Sequence, residues 1–312
     1  MAVLGLGLAA LGRPGYLTIG HGAAIGPDRS IEALQRRCHE VCDAAWQGGV
    51  RWFDAARSYG RAEQFLSAWL TRRGVQPDQV TVSSKWGYTY TADWKVNAEV
   101  PEVKDHSAAA LARQWPETEA LLGPWLRLYQ VHSATLESGI LDDTKTHEAL
   151  ARLGVPLGVS LSGPKQSDTL LRALSIETDG APLFSAVQAT WNLLEPSAAP
   201  ALAEAKAAGW TVIVKEALAN GRLAVSGPAT ARLGPRPDVT ALTVALAQPW
   251  ADVVLLGAAT VAQLHSNLAV LDTAVLDTAA LDTAVLPHTD QFATLALDPQ
   301  AYWSERAGMA WT

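Results

Sequence analysis

Eight short, nearly continuous apolar runs recur along the chain, separated by segments of helical period. They are VLGLGLAAL (3–11), VRWFDAA (50–56), VTVSSK (80–85), LRLYQVH (126–132), PLGVSLS (156–162), SAVQATW (185–191), WTVIVKEA (210–217) and DVVLLGA (252–258). Runs of this length without strict alternation are the pattern of parallel strands buried on both faces. Between the first two, Ile31, Leu34, Cys38, Val41, Cys42 and Ala45 share one helical face, with Ser30 as N-cap and Gly48 and Gly49 closing the helix. A second helical pattern carries Ala62, Phe65, Leu66, Trp69 and Leu70 and stops at Arg72-Arg73-Gly74. Eight such strand and helix units in about 250 residues predict an α/β fold, a closed (β/α)8 TIM barrel forming one domain over residues 1–312.

A rival reading takes Gly5 and Gly7 as the start of a dinucleotide fingerprint. The third glycine, Gly12, comes five residues after Gly7 instead of three, and no helical pattern follows it, so the fingerprint is incomplete. Two segments interrupt the alternation. Residues 86–106 make a long connection after the third strand, where a barrel carries function. Residues 269–286 are a five-residue near-repeat that fits no helical period and is expected as a surface insertion, followed by a C-terminal tail at about 287–312.

Composition narrows the class. With 49% hydrophobic and 18% charged residues, the chain reads as globular with a sizeable core. The net charge of −7 is dispersed and no Lys/Arg run occurs, which argues against a nucleic-acid partner. The apolar start lacks a basic flank and is too short for a membrane span, so it reads as the first strand and no membrane partner is expected. Cys38 and Cys42, at helical spacing, read as buried thiols, with neither a disulfide nor a metal expected, so a reducing, cytoplasmic setting is expected.

The polar residues at the strand ends carry the chemistry: Asp54, Lys85, His132, Ser160, Gln188 and Lys215, with Gly257 on the eighth strand. In a barrel, strand C-termini converge on one face, where active sites are built. Each residue alone has a structural explanation, but the recurrence of such groups on strands two, three and four, with Tyr59 just beyond, points to a carbonyl-reducing site. Hydride addition builds charge on the carbonyl oxygen and calls for a proton donor, here Tyr59. A Lys85 ammonium would make its phenol easier to ionise, Asp54 would hold that ammonium, and His132 would orient the substrate oxygen.

As a set, GGVRWFDAARSYGRAEQFL, VSSKWG, LYQVHS, LGVSLSG, VQATWNLLEP and GAATVAQLHSNL, spread over residues 3–271, resemble the aldo-keto reductase family. The resemblance implies a barrel that binds NADP(H) in extended form and a catalytic tetrad of Asp54, Tyr59, Lys85 and His132. It places Ser160 and Gln188 at the nicotinamide carboxamide, with Leu161 where the family has Asn. Lys215 stands where an aromatic usually stacks on the nicotinamide. Backbone N–H groups of Ala217, Leu218, Asn220 and Gly221 are implied at the pyrophosphate, beside Gly257, with Gln263 and Asn267 at the adenine. Ala259 and Thr260 fall where a basic residue often meets the 2′-phosphate, which leaves NAD(H) open as the cofactor. Trp86 and Trp191 are expected to wall a pocket for an apolar or ring-bearing carbonyl, and the tail with Trp303 and Trp311 to fold over the mouth. The expected partner is a small carbonyl or alcohol; substrate, direction and oligomeric state are not legible. Two alternatives stand beside this reading: a cofactor-sensing protein on the same scaffold, and an aldolase or isomerase using Lys85 as a Schiff base, against which the Asp54 partner argues.

Overall fold

The computed structural model describes residues 2–276 and 292–312. Eight parallel strands close a barrel: β1 (Val3–Gly7), β2 (Trp52–Asp54), β3 (Thr81–Trp86), β4 (Leu126–Ala134), β5 (Leu157–Leu161), β6 (Ala186–Thr190), β7 (Thr211–Lys215) and β8 (Val253–Leu256). Neighbours pair in chain order and β8 returns to β1, so the predicted (β/α)8 architecture is observed. All eight apolar runs of the sequence contain a strand, and helices lie between them.

Side chains alternate across each strand, so every second residue enters the barrel and the entrants stack in layers. The lower layer is apolar or minimal in size. Leu128, Ala186, Ile213, Val253 and Leu255 pack as one cluster with Trp52, and a Cβ on Gly5 would fall 2.8 Å from Leu255 and 3.3 Å from Trp52. The glycine of GLG therefore makes room inside the barrel instead of opening a dinucleotide-binding turn. Two residues further along, the same face presents Asp54, Gln130, Ser160, Gln188 and Lys215, with Lys85 on β3. One pleat period thus turns a greasy plug into a polar floor.

The outer layer follows the helical periodicity. Helix Ile31–Gln47 is capped by Ser30, whose Oγ accepts from Ala33 N at 3.3 Å, and it buries Leu34, Cys38, Val41, Cys42 and Ala45. Both cysteines are free and buried. Helix Ala62–Arg73 buries Phe65, Leu66, Trp69 and Leu70 and ends at Gly74 in the left-handed region. Residues 86–106 form a hairpin, Tyr88–Tyr90 against Glu102–Lys104, that rises beside the barrel mouth. The near-repeat begins inside the last barrel helix, Val261–Leu276, so residues 269–276 continue that helix, although the five-residue period does not match a helical one. The rest of the near-repeat, to 286, and residues 287–291 lie outside the described residues. Among the described residues, no helix is long and apolar enough to cross a membrane.

Candidate active site

An open cavity of about 450 Å³ lies at the C-terminal face of the barrel. Its floor is the polar layer, and the Lys85–Asp54 pair is the centre of that floor. Lys85 is fully buried, its Nζ donates to Asp54 Oδ2 and, at 3.1 Å, to Ala55 O. Asp54 is held in turn by Ser83 Oγ (2.7 Å), Gln188 Nε2 (3.0 Å) and Gln130 Nε2 (3.4 Å). Burial lowers the Lys85 pKa from its ordinary value, and the Asp54 carboxylate opposes that shift.

Tyr59 arrives on the turn after β2. That turn exists because the chain can approach itself closely there: a Cβ on Gly12 would fall 2.2 Å from Tyr59 O, and Gly60 adopts a φ of +60° with its own Cβ position 2.4 Å from Gly12 O. Arg61 N donates to Gly12 O at 2.7 Å and locks the contact. Lys85 Nζ sits 5.0 Å from the Tyr59 ring centroid, and the His132 ring stands edge-on at 5.4 Å. Burial and then Asp54 push the Tyr59 phenol well above its usual value, with Arg13 opposing. The Lys85 ammonium expected to ease this ionisation is in direct contact with Asp54, and burial outweighs its pull. Burial, with the Lys85, Lys215 and Arg13 charges, holds His132 well below the ordinary imidazole value, so it is neutral. Its Nδ1 lies 3.4 Å from Ser58 Oγ.

The cavity wall contains all ten residues expected at the cofactor, namely Ser160, Gln188, Lys215, Ala217, Leu218, Asn220, Gly221, Gly257, Gln263 and Asn267. Among the described residues, Ser160 Oγ and Asn220 Oδ1 are buried without a protein partner, as groups that meet a polar ligand would be. A nicotinamide dinucleotide fits this donor and acceptor set, and Ser160 would meet its carboxamide. Leu161 points to the core while Ser162 lines the cavity, so pleating puts a serine, not the family's Asn position, beside Ser160. Two roles change. The Gln188 amide nitrogen is committed to Asp54, and the Gly221 N–H is spent on Leu218 O at 3.0 Å, so Gly221 offers no donor to a pyrophosphate.

Lys215 donates to Thr190 Oγ1 at 3.0 Å, and burial brings its pKa down to about 8 against the pull of Glu216. Glu216 has a strained φ of 57°. Burial would raise its pKa, but Arg306 and Lys215 overcome this and hold it at about 2. Arg306, from the tail helix Pro299–Ala307, grips Glu216 with Nε at 2.9 and 3.0 Å and with Nη2, and also lines the cavity.

Trp86 and Trp191 do not line the cavity. Trp86 is fully buried and Trp191 is 4% exposed, packed edge-on to Trp250 at 5.5 Å. The reason is the pleat: Lys85 and Thr190 face inward, so the residues after them face outward. Trp303 is also buried, whereas Trp311 stacks on Arg13 at 4.4 Å while Tyr16 and Thr312 exchange backbone hydrogen bonds at 3.3 and 3.2 Å. Residues that sequence reasoning missed line the cavity near Tyr59: Tyr16, Tyr88, Arg306 and the Arg13–Glu102 ion pair (2.9 Å), with Arg13 5.2 Å from the Tyr59 ring. The RPGY stretch after the first run was the available signal for Arg13 and Tyr16, and the long connection 86–106 was the signal for Tyr88 and Glu102; Arg306 lies in the tail expected over the mouth, but nothing in the sequence marked it individually.

Fold and site together define a TIM barrel with an ion-paired Lys, a Tyr and a neutral His converging on a cofactor-sized cavity. The chain belongs to the aldo-keto reductase family: the model of the Aldo/keto reductase family matches residues 4–243. Among solved structures, it resembles a Pseudomonas aeruginosa protein described as an aldo-keto reductase (25% identity, 87% of this chain and 90% of that one, TM-score 0.63). The holo form of an aldo-keto reductase from Bacillus halodurans shares the fold at 19% identity, over 95% and 92% of the two chains, with a TM-score of 0.66. No curated protein sequence matches significantly.

Proposed function

We propose that this chain is a nicotinamide-dependent oxidoreductase that interconverts a small carbonyl and its alcohol, with Tyr59 as the acid. The observation that carries the reading is the Lys85–Asp54 pair, fully buried and set 5.0 Å from a phenol that lines the cavity. The cofactor, when bound, supplies or accepts the hydride. Ser160, with its unpartnered hydroxyl, and the loop from Ala217 to Asn220 would hold it.

Tyr59 and His132 converge on the substrate oxygen. Because its pKa is raised, Tyr59 is protonated at neutral pH and holds the proton that a carbonyl oxygen takes as it gains charge. The phenolate left behind faces Lys85 and Arg13, whose cations stabilise it only once it forms. In the tautomer whose Nδ1 accepts from Ser58 Oγ, 3.4 Å away, neutral His132 has Nε2–H to donate to the same oxygen. Asp54 keeps Lys85 charged and fixed, and the apolar plug beneath excludes water from the pair. Turnover of a panel of aldehydes and ketones tests the reading: Tyr59→Phe should lose on the order of 100-fold or more while cofactor binding persists, and retained turnover would remove Tyr59 from the role.

A further inference from the structure

Away from the tetrad, the cavity crosses the barrel mouth to the two helices that flank β8, Pro237–Leu246 and Val261–Leu276. There it is lined by Asp238, Leu242, Gln263, Ser266 and Asn267. Asp238 is the charged member of that group. Its Oδ2 accepts from Ser266 Oγ at 2.5 Å and its Oδ1 from Arg236 Nε at 3.4 Å, a long bond that leaves acceptor capacity on Oδ1. Arg236 otherwise donates through Nη2 to Ser266 O and Oγ at 3.0 and 3.1 Å. The two members of the pair face different ways: the Asp238 side chain is 10% exposed and lines the cavity, whereas that of Arg236 is 51% exposed and does not. Among the described residues, the Lys and Arg side chains lining the cavity are Arg13, Lys215 and Arg306, and all three belong to the catalytic end, bonded to Glu102, Thr190 and Glu216.

Resting on the reading that this cavity takes a nicotinamide dinucleotide, we infer that Asp238 selects an adenosine ribose with a free 2′-hydroxyl, so that the protein uses NAD(H) and rejects NADP(H). A ribose hydroxyl donates to a carboxylate. A 2′-phosphate has acceptors where Asp238 needs a donor and brings about −1.5 to −2 of charge against a carboxylate inside a cavity wall. Holding such a phosphate calls for a planar, bidentate cation, and at this end the Arg236 guanidinium does not line the cavity and already donates to Asp238 and to Ser266 O and Oγ. Ser266 fixes the Asp238 carboxylate toward the cavity and is the positioning residue.

The test is equilibrium titration of the full chain, read by tryptophan fluorescence, with NADH and NADPH and, separately, with adenosine 5′-diphosphate and its 2′-phosphorylated counterpart. The fragments probe the distal end without the nicotinamide. NADH should bind at least about tenfold more tightly than NADPH, and the fragments should rank the same way. Asp238→Asn removes the charge and retains the shape, and it should bring the members of each pair within about threefold by strengthening the phosphorylated one. NADPH binding as tightly as NADH to the wild-type chain would overturn the inference, as would an Asp238→Asn variant with an unchanged ratio. The wild-type ratios need no variant and decide the matter if Asp238→Asn does not fold. Failure of all four ligands to bind would instead overturn the dinucleotide reading itself.

Discussion

Replacing Asp54 with Asn tests whether the centre of the site is an ion pair or merely a hydrogen-bonded cluster. Lys85 is fully buried, and its ammonium is held by the Asp54 carboxylate and the Ala55 carbonyl. A charge pair in contact is worth about 4 kcal/mol at an effective dielectric of about 20, and breaking a buried pair costs about 3–5 kcal/mol. The fold can reduce this cost by letting Lys85 shed its proton, because about 4 kcal/mol corresponds to about three pKa units. Burial already places the amine below its ordinary value with Asp54 present, and without the carboxylate it falls further toward neutrality. A lysine with a depressed folded pKa binds fewer protons folded than unfolded, so stability rises with pH between the folded and unfolded values, and the penalty is fully present below the folded one. Urea denaturation followed by tryptophan fluorescence should therefore show Asp54→Asn losing about 3–5 kcal/mol at pH 6 and regaining most of it toward pH 10. The wild type should show a smaller rise over a narrower interval. A deficit that stays constant with pH would refute the argument and assign the loss to the Ser83 and Gln188 contacts of Asp54.

Lys215, at about 8, is charged below that pH and neutral above it. If it faces the nicotinamide, the ratio of affinities for oxidised over reduced cofactor should rise about fivefold (about 1 kcal/mol) between pH 7 and 9, and Lys215→Met should hold the higher value throughout. A wild-type ratio independent of pH would contradict this. Gly12→Ala drives a methyl into Tyr59 O, 2.2 Å away, and should cost about 1–3 kcal/mol in thermal unfolding along with most of the activity, with no change in either contradicting the close-approach account. Arg13→Met removes the second cation from the Tyr59 ring and should lower kcat/KM by about tenfold with the fold intact; an unchanged value would show that Lys85 suffices.

The barrel was legible because its strands bear the double-sided burial of parallel sheet, and the tetrad because Asp54, Lys85 and His132 each interrupt such a run at its C-terminal end. The same pleat, applied one residue further, places Trp86 and Trp191 outside the barrel, so their misassignment came from reading adjacency along the chain as adjacency in the cavity. Arg13 belongs to a loop, Glu102 to a short strand of the hairpin at the mouth and Arg306 to a terminal helix, all outside the repeating strand and helix units of the barrel. Their positions follow from long-range partners: Arg13 from Glu102 and Trp311, and Arg306 from Glu216. The sign of the Tyr59 shift was hidden for a similar reason, since it follows first from how deeply the phenol is buried and then from the nearby Asp54 charge.

Deuterium transfer tests the central claim most directly. Reduced nicotinamide cofactor labelled at the transferable C4 position is mixed with a carbonyl panel, and the product alcohols are examined by mass spectrometry while cofactor affinity is measured on the same samples. Wild-type protein should place the label on the former carbonyl carbon, and Tyr59→Phe should bind cofactor equally and transfer the label at least about 100-fold more slowly. Equal transfer by both, or cofactor bound by the wild type with no labelled alcohol from any member of the panel, would contradict the account.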